Sequence, residues 1–303
     1  MKHLPEIPRR TIDELLALYA LEPNLKDVFV EGASDQRIVR WFIDTEVPAG
    51  SSVGVYSVDE IDVPSSLLAK YKRSPGNRSE VLALCSEIEA ATSAQFTRIT
   101  GIVDRDLSSI IPEGNVSALV LSTDYCCMEA YHFSPLNIEK LRVLTFMRVN
   151  KSATNICESL SPILKCLFAI RGANELLATK LTWIDIAGFV YFDKGQFTLR
   201  REDFLRSYLQ NGGAFKRHTE FAAEVNRIYA TLPPDYRLSM NGHDAVQLLG
   251  IYLKSIHKKA EDNDRTKPHV LCHLLCCCMR SEELRKEKMF STLISRLMNN
   301  AAA

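Results

Sequence analysis

The sequence predicts an α/β fold in which a mainly parallel, Rossmann-like sheet is followed by a mostly helical C-terminal region. The predicted strands at 27–31, 98–103 and 116–121 each contain a short uncharged run of mainly apolar residues (28–30, 99–103 and 116–121), which is typical of strands buried on both faces. Segments with helical spacing separate these runs, which is the order expected of parallel strands joined by crossover helices. Beyond about residue 146 helical spacing dominates.

The elements of the first half follow in order. Thr11 and Glu14 have the spacing of a capping box and predict a helix that ends near Pro23. The strand at 27–31 leads into a helix after Asp35, and a second strand is predicted at 53–63. After a polar loop, Asn77 is expected to cap a helix that runs to about Ala94. The strands at 98–103 and 116–121 come next, and a further helix begins near Tyr125.

The second half is predicted to be helical apart from one strand pair. One or two helices are expected over 155–180, and the strand pair over 188–192 and 196–199. The helices after Arg201 are interrupted by Gly212-Gly213 and by Pro233-Pro234. We expect two domains, 1–145 and 146–303, with the second packed on the first, because no long polar linker separates them.

Composition narrows the functional class. The 303 residues carry 37 basic and 37 acidic side chains, and this balance argues against a protein that coats nucleic acid through a general basic field. No apolar stretch approaches the ~20 residues that span a bilayer, and the N-terminus lacks the apolar core of a signal peptide. Nine cysteines, several of them adjacent, suit a reducing compartment, so we expect a cytoplasmic protein.

Acidic residues follow the predicted strands. Glu31 closes the first run and is followed by Gly32, while Asp104 and Asp106 follow the run at 98–103. Asp124 and Glu129 come after the next strand. Sites in open α/β sheets form beyond the carboxyl ends of the strands, and carboxylates gathered there repel one another unless a cation neutralises them. The sequence therefore predicts a magnesium site, since Mg²⁺ takes oxygen ligands.

These motifs resemble the TOPRIM family of topoisomerases, primases and overcoming-lysogenization-defect nucleases. The narrower resemblance is to the AriB-type nuclease subunits that accompany an ABC-type ATPase in PARIS anti-phage systems. It rests on Glu31-Gly32 with Asp35, on Asp104-Arg105-Asp106 and on Thr123-Asp124-Tyr125 with Glu129, and it covers about residues 25 to 135.

The resemblance implies a toxic endonuclease that uses Mg²⁺, or Mn²⁺, and cleaves nucleic acid, with tRNA as the expected substrate. Glu31, Asp104 and Asp106 would be catalytic and hold the metal, and Asp35 and Glu129 would help to bind it. The implied partner is an AriA-like ABC-type ATPase that holds the nuclease inactive, and the released form is expected to be a homodimer. The chain has no Gly-x-x-x-x-Gly-Lys loop of its own.

Each acid also has a purely structural interpretation. Glu31 could end a strand before a turn at Gly32. Asp35 and Glu129 lie where first helical turns are predicted, and the helix dipole favours carboxylates there. Asp124 could be the N-cap of the helix that follows it. Asp104 and Asp106 are harder to explain structurally, because they form a second acidic group at the end of another buried strand. Residues i and i+2 of an extended chain point the same way, so both could face one ion.

The sequence offers weaker candidates for further roles at the site. Phosphoryl transfer calls for a cation, and Lys194 is a candidate for it, although an exposed residue in a hairpin turn is the favoured interpretation. His243 could donate a proton near the metal, while Asn241 or Asp244 could be a helix cap.

Four potential zinc ligands lie at helical spacing near the C-terminus, namely His269, Cys272, His273 and Cys276. A tetrahedral zinc site normally draws its ligands from two elements, and free cysteines are commonly buried, so packing in the core is the favoured interpretation.

Two functions of different classes remain open at this point. The first is a metal-dependent phosphodiesterase, and the alternative is a non-catalytic TOPRIM subunit that docks on an ATPase and regulates it. A primase or topoisomerase role ranks last, because the chain has no paired Cys-x-x-Cys and little room for strand-passage domains.

Overall fold

The computed structural model describes residues 9–48, 52–91, 98–112, 114–147, 149–193, 195–256 and 264–298. The strands in these ranges are β1 (Arg10–Thr11), β2 (Lys26–Val30), β3 (Val53–Ser57), β4 (Ile61–Asp62), β5 (Ile99–Val103), β6 (Val120–Ser122), β7 (Val190–Asp193) and β8 (Gln196–Leu199). The helices are α1 (Ile12–Leu21), α2 (Ala33–Glu46), α3 (Ser65–Lys70), α4 (Asn77–Ala91), α5 (Glu129–His132), α6 (Pro135–Thr145), α7 (Ala153–Leu176), α8 (Arg201–Asn211), α9 (His218–Thr231), α10 (Gly242–Ile256), α11 (Pro268–Cys278), α12 (Ser281–Leu284) and α13 (Lys288–Met298). Among these helices none has the combination of length and apolarity that crossing a membrane requires.

The largest sheet has four strands in the order β3-β2-β5-β6, and every neighbouring pair is parallel. Val30 lies opposite Ser57 of β3 and Ile102 of β5, and Val103 lies opposite Ser122 of β6. The carboxyl ends of all four strands therefore meet at one edge, which we call the carboxyl edge. The α/β class and the mainly parallel sheet predicted from the sequence are confirmed.

The central strands are buried on both faces, as their apolar sequences require. All five residues of β5 are buried, and so are four of the five in β2. Helix α4 packs closely on β5, where a Cβ atom at Gly101 would come within 2.5 Å of the Cys85 sulfur. Glycine at this position allows the close approach of helix and strand.

The chain forms two compact units. The first comprises 1–104, 113–124 and 280–303, and contains the four-stranded sheet. Helix α13 belongs to it: the Phe290 ring lies 4.6 Å from the Phe42 ring of α2, and the Arg296 guanidinium donates to the carbonyl oxygens of Ala118 and Leu119, each at 2.9 Å.

The second unit comprises 105–112 and 125–279, and is mainly helical. Its longest helix, α7, runs for 24 residues and contains Pro162. The strand pair β7-β8 is antiparallel and turns at Gly195, whose φ of 82° lies in the left-handed region that glycine tolerates. Asp244 of α10 accepts two hydrogen bonds of 2.9 Å from Arg171 of α7.

Three boundaries differ from those predicted. The run at 53–63 is interrupted after Ser57, because Ser57 and Glu60 form a capping box that starts a 3-10 turn before β4. The strand predicted at 116–121 is short and covers only Val120–Ser122. The predicted division at 145/146 coincides with no division between the compact units, since residues 125–145 lie in the second unit and 280–298 in the first.

Candidate site at the carboxyl edge of the sheet

Glu31 and Asp104 meet at the carboxyl edge. They follow the adjacent strands β2 and β5, and the Glu31 Oε1 atom accepts a 2.7 Å hydrogen bond from the backbone N–H of Asp104. Both residues are partly buried. This hydrogen bond therefore fixes the Glu31 carboxylate relative to the backbone of Asp104, within the first unit.

A cation lies beside this pair. The Arg78 guanidinium of α4 has its Nη1 atom 3.7 Å from Glu31 Oε1, and both side chains are less than one-fifth exposed. The neighbouring Asn77 donates from Nδ2 to the Glu31 carbonyl oxygen at 2.7 Å. Two residues in the first turn of α4 thus contact Glu31, one at its side chain and one at its backbone carbonyl.

The strand on the other side of β2 contributes a further acid. Asp59 follows β3, and its carboxylate oxygens lie 3.4 and 3.5 Å from Asn77 Nδ2. An acidic residue thus follows each of three neighbouring strands, β3, β2 and β5. Glu31 and Asp104 could be predicted from the sequence, whereas Arg78, Asn77 and Asp59 were missed as site residues because only the packing of α4 brings them to this edge.

Asp106 does not have the conformation that the sequence suggested. Its φ is 43°, in the left-handed region, and its backbone N–H donates to the Cys126 carbonyl at 2.7 Å. The inference that Asp104 and Asp106 point the same way along an extended chain is therefore wrong. Asp104 is the last residue of the first stretch of unit one, and Asp106 belongs to the second unit.

Asp124 caps a helix, but not the one that the sequence indicated. Its two carboxylate oxygens lie 3.0 and 3.3 Å from the backbone N–H of Met289, in the first turn of α13. Helix α5, which follows Asp124 in the chain, has Met128 at its N-cap. The predicted N-cap role toward the following helix is wrong, since the carboxylate accepts a backbone N–H in the first turn of a helix distant in sequence.

Asp35 and Glu129 lie in first helical turns, as predicted. Asp35 is partly buried in the first turn of α2, in the first unit. Glu129 begins α5 in the second unit, where its carboxylate packs against α10: a Cβ atom at Gly242 would come within 2.4 Å of Glu129 Oε2. Both residues satisfy the helix-dipole interpretation, and their metal-binding roles stay predictions.

The remaining candidates have different outcomes. Lys194 lies outside the described residues. His243 is exposed on α10. Asn241 acts as a cap, because its Oδ1 atom accepts the N–H of Asp244 at 3.3 Å, and the Asp244 carboxylate pairs with Arg171 instead.

Asp27 is an acid of β2 that lies at the opposite end of the strand. It is buried, and the Tyr19 hydroxyl donates to its Oδ2 atom at 2.9 Å. Burial raises the pKa of the Asp27 carboxyl, and the hydrogen bond from Tyr19 opposes that shift. Its hydrogen-bond donor, Tyr19, is itself buried in the core, so Asp27 is part of the core and not of the carboxyl edge.

The potential zinc ligands of α11 divide into two pairs. His269 and His273 are exposed, whereas Cys272 and Cys276 are partly buried and face His132 of α5. His132 was missed in the sequence because it lies 144 residues from Cys276.

No protein-family model matches this chain, and no curated protein matches it.

Proposed function

We propose that this chain is a magnesium-dependent TOPRIM-type nuclease, the toxic effector of an anti-phage defence system. The observation that supports the proposal best is the pairing of Glu31 and Asp104 at the carboxyl ends of adjacent parallel strands. It is supported further by the sequence motifs that resemble AriB-type subunits. Under this proposal the substrate is nucleic acid, with tRNA the first to test.

The donor set at the carboxyl edge fits the proposed ion. Glu31 and Asp104 would hold it with hard carboxylate oxygens, and Mg²⁺ is commonly bound by one or two carboxylates together with water and substrate phosphate. By the resemblance, Asp106, Asp35 and Glu129 would complete the binding of one or two ions. A bound Mg²⁺ would supply Lewis acidity toward the phosphoryl oxygen and lower the pKa of its water. Mn²⁺, which takes the same ligands, would substitute for it.

The other residues of the edge have supporting roles in this proposal. Arg78, 3.7 Å from Glu31, would neutralise negative charge when a phosphate approaches, which is the role that the sequence suggests for Lys194. The backbone N–H of Asp104 would orient the Glu31 carboxylate, and Asn77 would keep the loop after β2 in place.

A nuclease assay on the purified chain tests the proposal. Mixed tRNA and supercoiled plasmid are incubated with Mg²⁺, with Mn²⁺ or with EDTA, and the products are sized. We expect metal-dependent cleavage that falls more than about 100-fold in Glu31→Ala, since even the loss of a group that only supports a metal ligand costs about 10–100-fold.

The matched control is Glu22→Ala, which removes an exposed carboxylate that precedes β2. The control protein should cleave normally. Undiminished magnesium-dependent cleavage by Glu31→Ala would refute the assignment of the site. Absence of cleavage by the unchanged protein, together with stable binding to an ATPase, would favour the alternative of a non-catalytic docking subunit.

We propose further that an AriA-like ABC-type ATPase holds the nuclease inactive, and that the released protein acts as a homodimer in the cytoplasm. An unregulated nuclease would damage its own host, and the chain contains no phosphate-binding loop for ATP. Co-expression with an AriA-like ABC-type ATPase, followed by size-exclusion chromatography with light scattering, measures both association and stoichiometry. Full nuclease activity in the bound state, or no association, would overturn this part.

A further inference from the structure

A cluster of one histidine and two cysteines lies in the second unit. It consists of His132 in α5 and of Cys272 and Cys276 in α11, and we call it the His-Cys cluster. Their potential ligand atoms lie within 4.8 Å of one another. The two cysteines are at positions i and i+4, so both lie on the face of α11 that packs against α5.

The spacing of these atoms fits a tetrahedral metal. Zinc bonds of about 2.3 Å to sulfur and about 2.0–2.1 Å to nitrogen give a separation of about 3.5 Å between neighbouring N and S ligands. The His132 Nδ1 atom lies 3.4 Å from the Cys276 sulfur. The ligands come from two elements, which removes the argument against zinc that the sequence of α11 alone provided.

Without a metal, the buried His132 imidazole carries a desolvation cost that its neighbours do not offset. The His132 side chain is fully buried, and its Nε2 atom has no hydrogen-bond partner among the described residues. Its Nδ1 atom faces cysteine sulfur, which is a weak hydrogen-bonding group. A buried imidazole with such partners loses hydration that they do not replace, and a metal–nitrogen bond would offset this loss.

The chemical nature of the donor atoms also favours zinc: the cluster offers two cysteine sulfurs and one imidazole nitrogen. Thiolate is the form of cysteine that binds metals, and cysteine with histidine is a donor set that suits zinc and not magnesium.

We propose that His132, Cys272 and Cys276 bind a zinc ion that fastens α5 to α11, with water or an external ligand in the fourth position. The ion would hold in place the short helix that also carries Glu129. The inference depends on the geometry of the second unit alone and is independent of the nuclease proposal.

Metal analysis of the full chain tests the proposal. The protein is purified under reducing conditions, loaded with zinc chloride, exchanged into buffer containing MgCl₂ and measured by inductively coupled plasma mass spectrometry. We expect zinc to remain at a ratio near one per chain. Cys272→Ser and Cys276→Ser should each weaken zinc binding more than about 10-fold, because they remove ligands themselves. The control is Cys277→Ser, an exposed cysteine of the same helix, which should retain zinc.

A second measurement does not depend on the folding of variants. Cobalt bound to the unchanged protein should give the visible bands of a tetrahedral ion and a thiolate charge-transfer band. Zinc should also protect Cys272 and Cys276, but not Cys277, from alkylation until a chelator is added. Failure of the unchanged protein to retain zinc or cobalt would overturn the proposal, and so would equal zinc loss in Cys277→Ser.

Discussion

The carboxyl edge of the first unit and the His-Cys cluster of the second gather their polar side chains in different ways. Glu31 and Asp104 each follow a buried strand directly, and the parallel sheet brings the ends of those strands together. His132 meets Cys276 only because α5 packs against α11 across 144 residues of sequence. A group of residues at strand ends is therefore predictable from apolar runs, whereas one built between helices depends on tertiary packing.

The donor atoms of the two regions differ in kind. The carboxyl edge presents carboxylate oxygens with a guanidinium beside them, and the His-Cys cluster presents sulfur and imidazole nitrogen. Hard oxygen donors favour Mg²⁺ and Mn²⁺, while thiolate and imidazole favour zinc. Under the two proposals the regions would bind different ions because their donor atoms differ, and the following experiments test the two regions separately.

The largest effect is expected from the two aspartates that follow β5. Asp104→Asn and Asp106→Asn should each reduce nuclease activity more than about 100-fold, and the double variant should be scarcely worse, because the resemblance implies that both would serve the same metal ion and the effects of such residues are non-additive. Rates of tRNA cleavage under saturating Mg²⁺ measure this, with the exposed Asp62→Asn as control. Modest defects that add in the double variant would instead indicate a general electrostatic effect.

Glu31, Asp104 and the parallel sheet could be predicted because short apolar runs define buried strands and fix where they end. The position of Arg78 beside Glu31 could not be predicted, since it depends on how α4 packs beside β2. The conformation of Asp106 could not either, because its left-handed φ accompanies a hydrogen bond to the carbonyl of Cys126.

Contacts between residues far apart in the sequence could not be predicted either. Asp124 was recognised as a potential cap, but its partner Met289 lies 165 residues away, and local spacing cannot identify such a partner. The assignment of α13 to the first unit depends likewise on Phe290 meeting Phe42. Both contacts place α13 in the unit that contains the sheet.

Phe290→Ala tests that assignment. Phe290 is fully buried, so the substitution should reduce the free energy of unfolding by about 3–5 kcal/mol through lost burial and a cavity. Urea unfolding gives the magnitude, and hydrogen exchange should show that β2 and β5 lose more protection than α7. Met298→Ala, a half-exposed residue of the same helix, is the control and should have little effect. A loss under about 1 kcal/mol for Phe290→Ala would separate α13 from the core of the sheet.

Asp27 is a buried acid outside the carboxyl edge, and its burial makes the stability of the fold depend on pH. Its pKa is raised in the folded protein by burial, so the folded state binds the proton more tightly than the unfolded state, whose Asp pKa is about 3.9. Ionisation therefore destabilises the fold at pH values above the folded pKa, and this penalty disappears as the pH falls toward 3.9.

Asp27→Asn should consequently be more stable than the unchanged protein at neutral pH, with a difference that closes as the pH approaches 4. Asparagine keeps an oxygen that accepts the Tyr19 hydroxyl. Urea unfolding at several pH values between 4 and 8 provides the measurement, and Asp62→Asn again serves as the exposed control. A stability difference that does not change with pH would contradict the role assigned to burial.

Substitution of Asp124 should have the smallest effect on stability. It tests whether this acid, which follows β6, has only a structural role. Asp124→Ala removes the acceptor for the Met289 N–H and should cost about 1 kcal/mol of stability, the usual loss when an N-cap side chain is removed. Asp124→Asn should cost less, since asparagine caps helices nearly as well. If the residue only caps α13, Asp124→Asn will also cleave tRNA at the normal rate. Normal stability combined with lost cleavage would instead group Asp124 with Glu31 and Asp104, and would extend the functional edge to all four strands of the sheet.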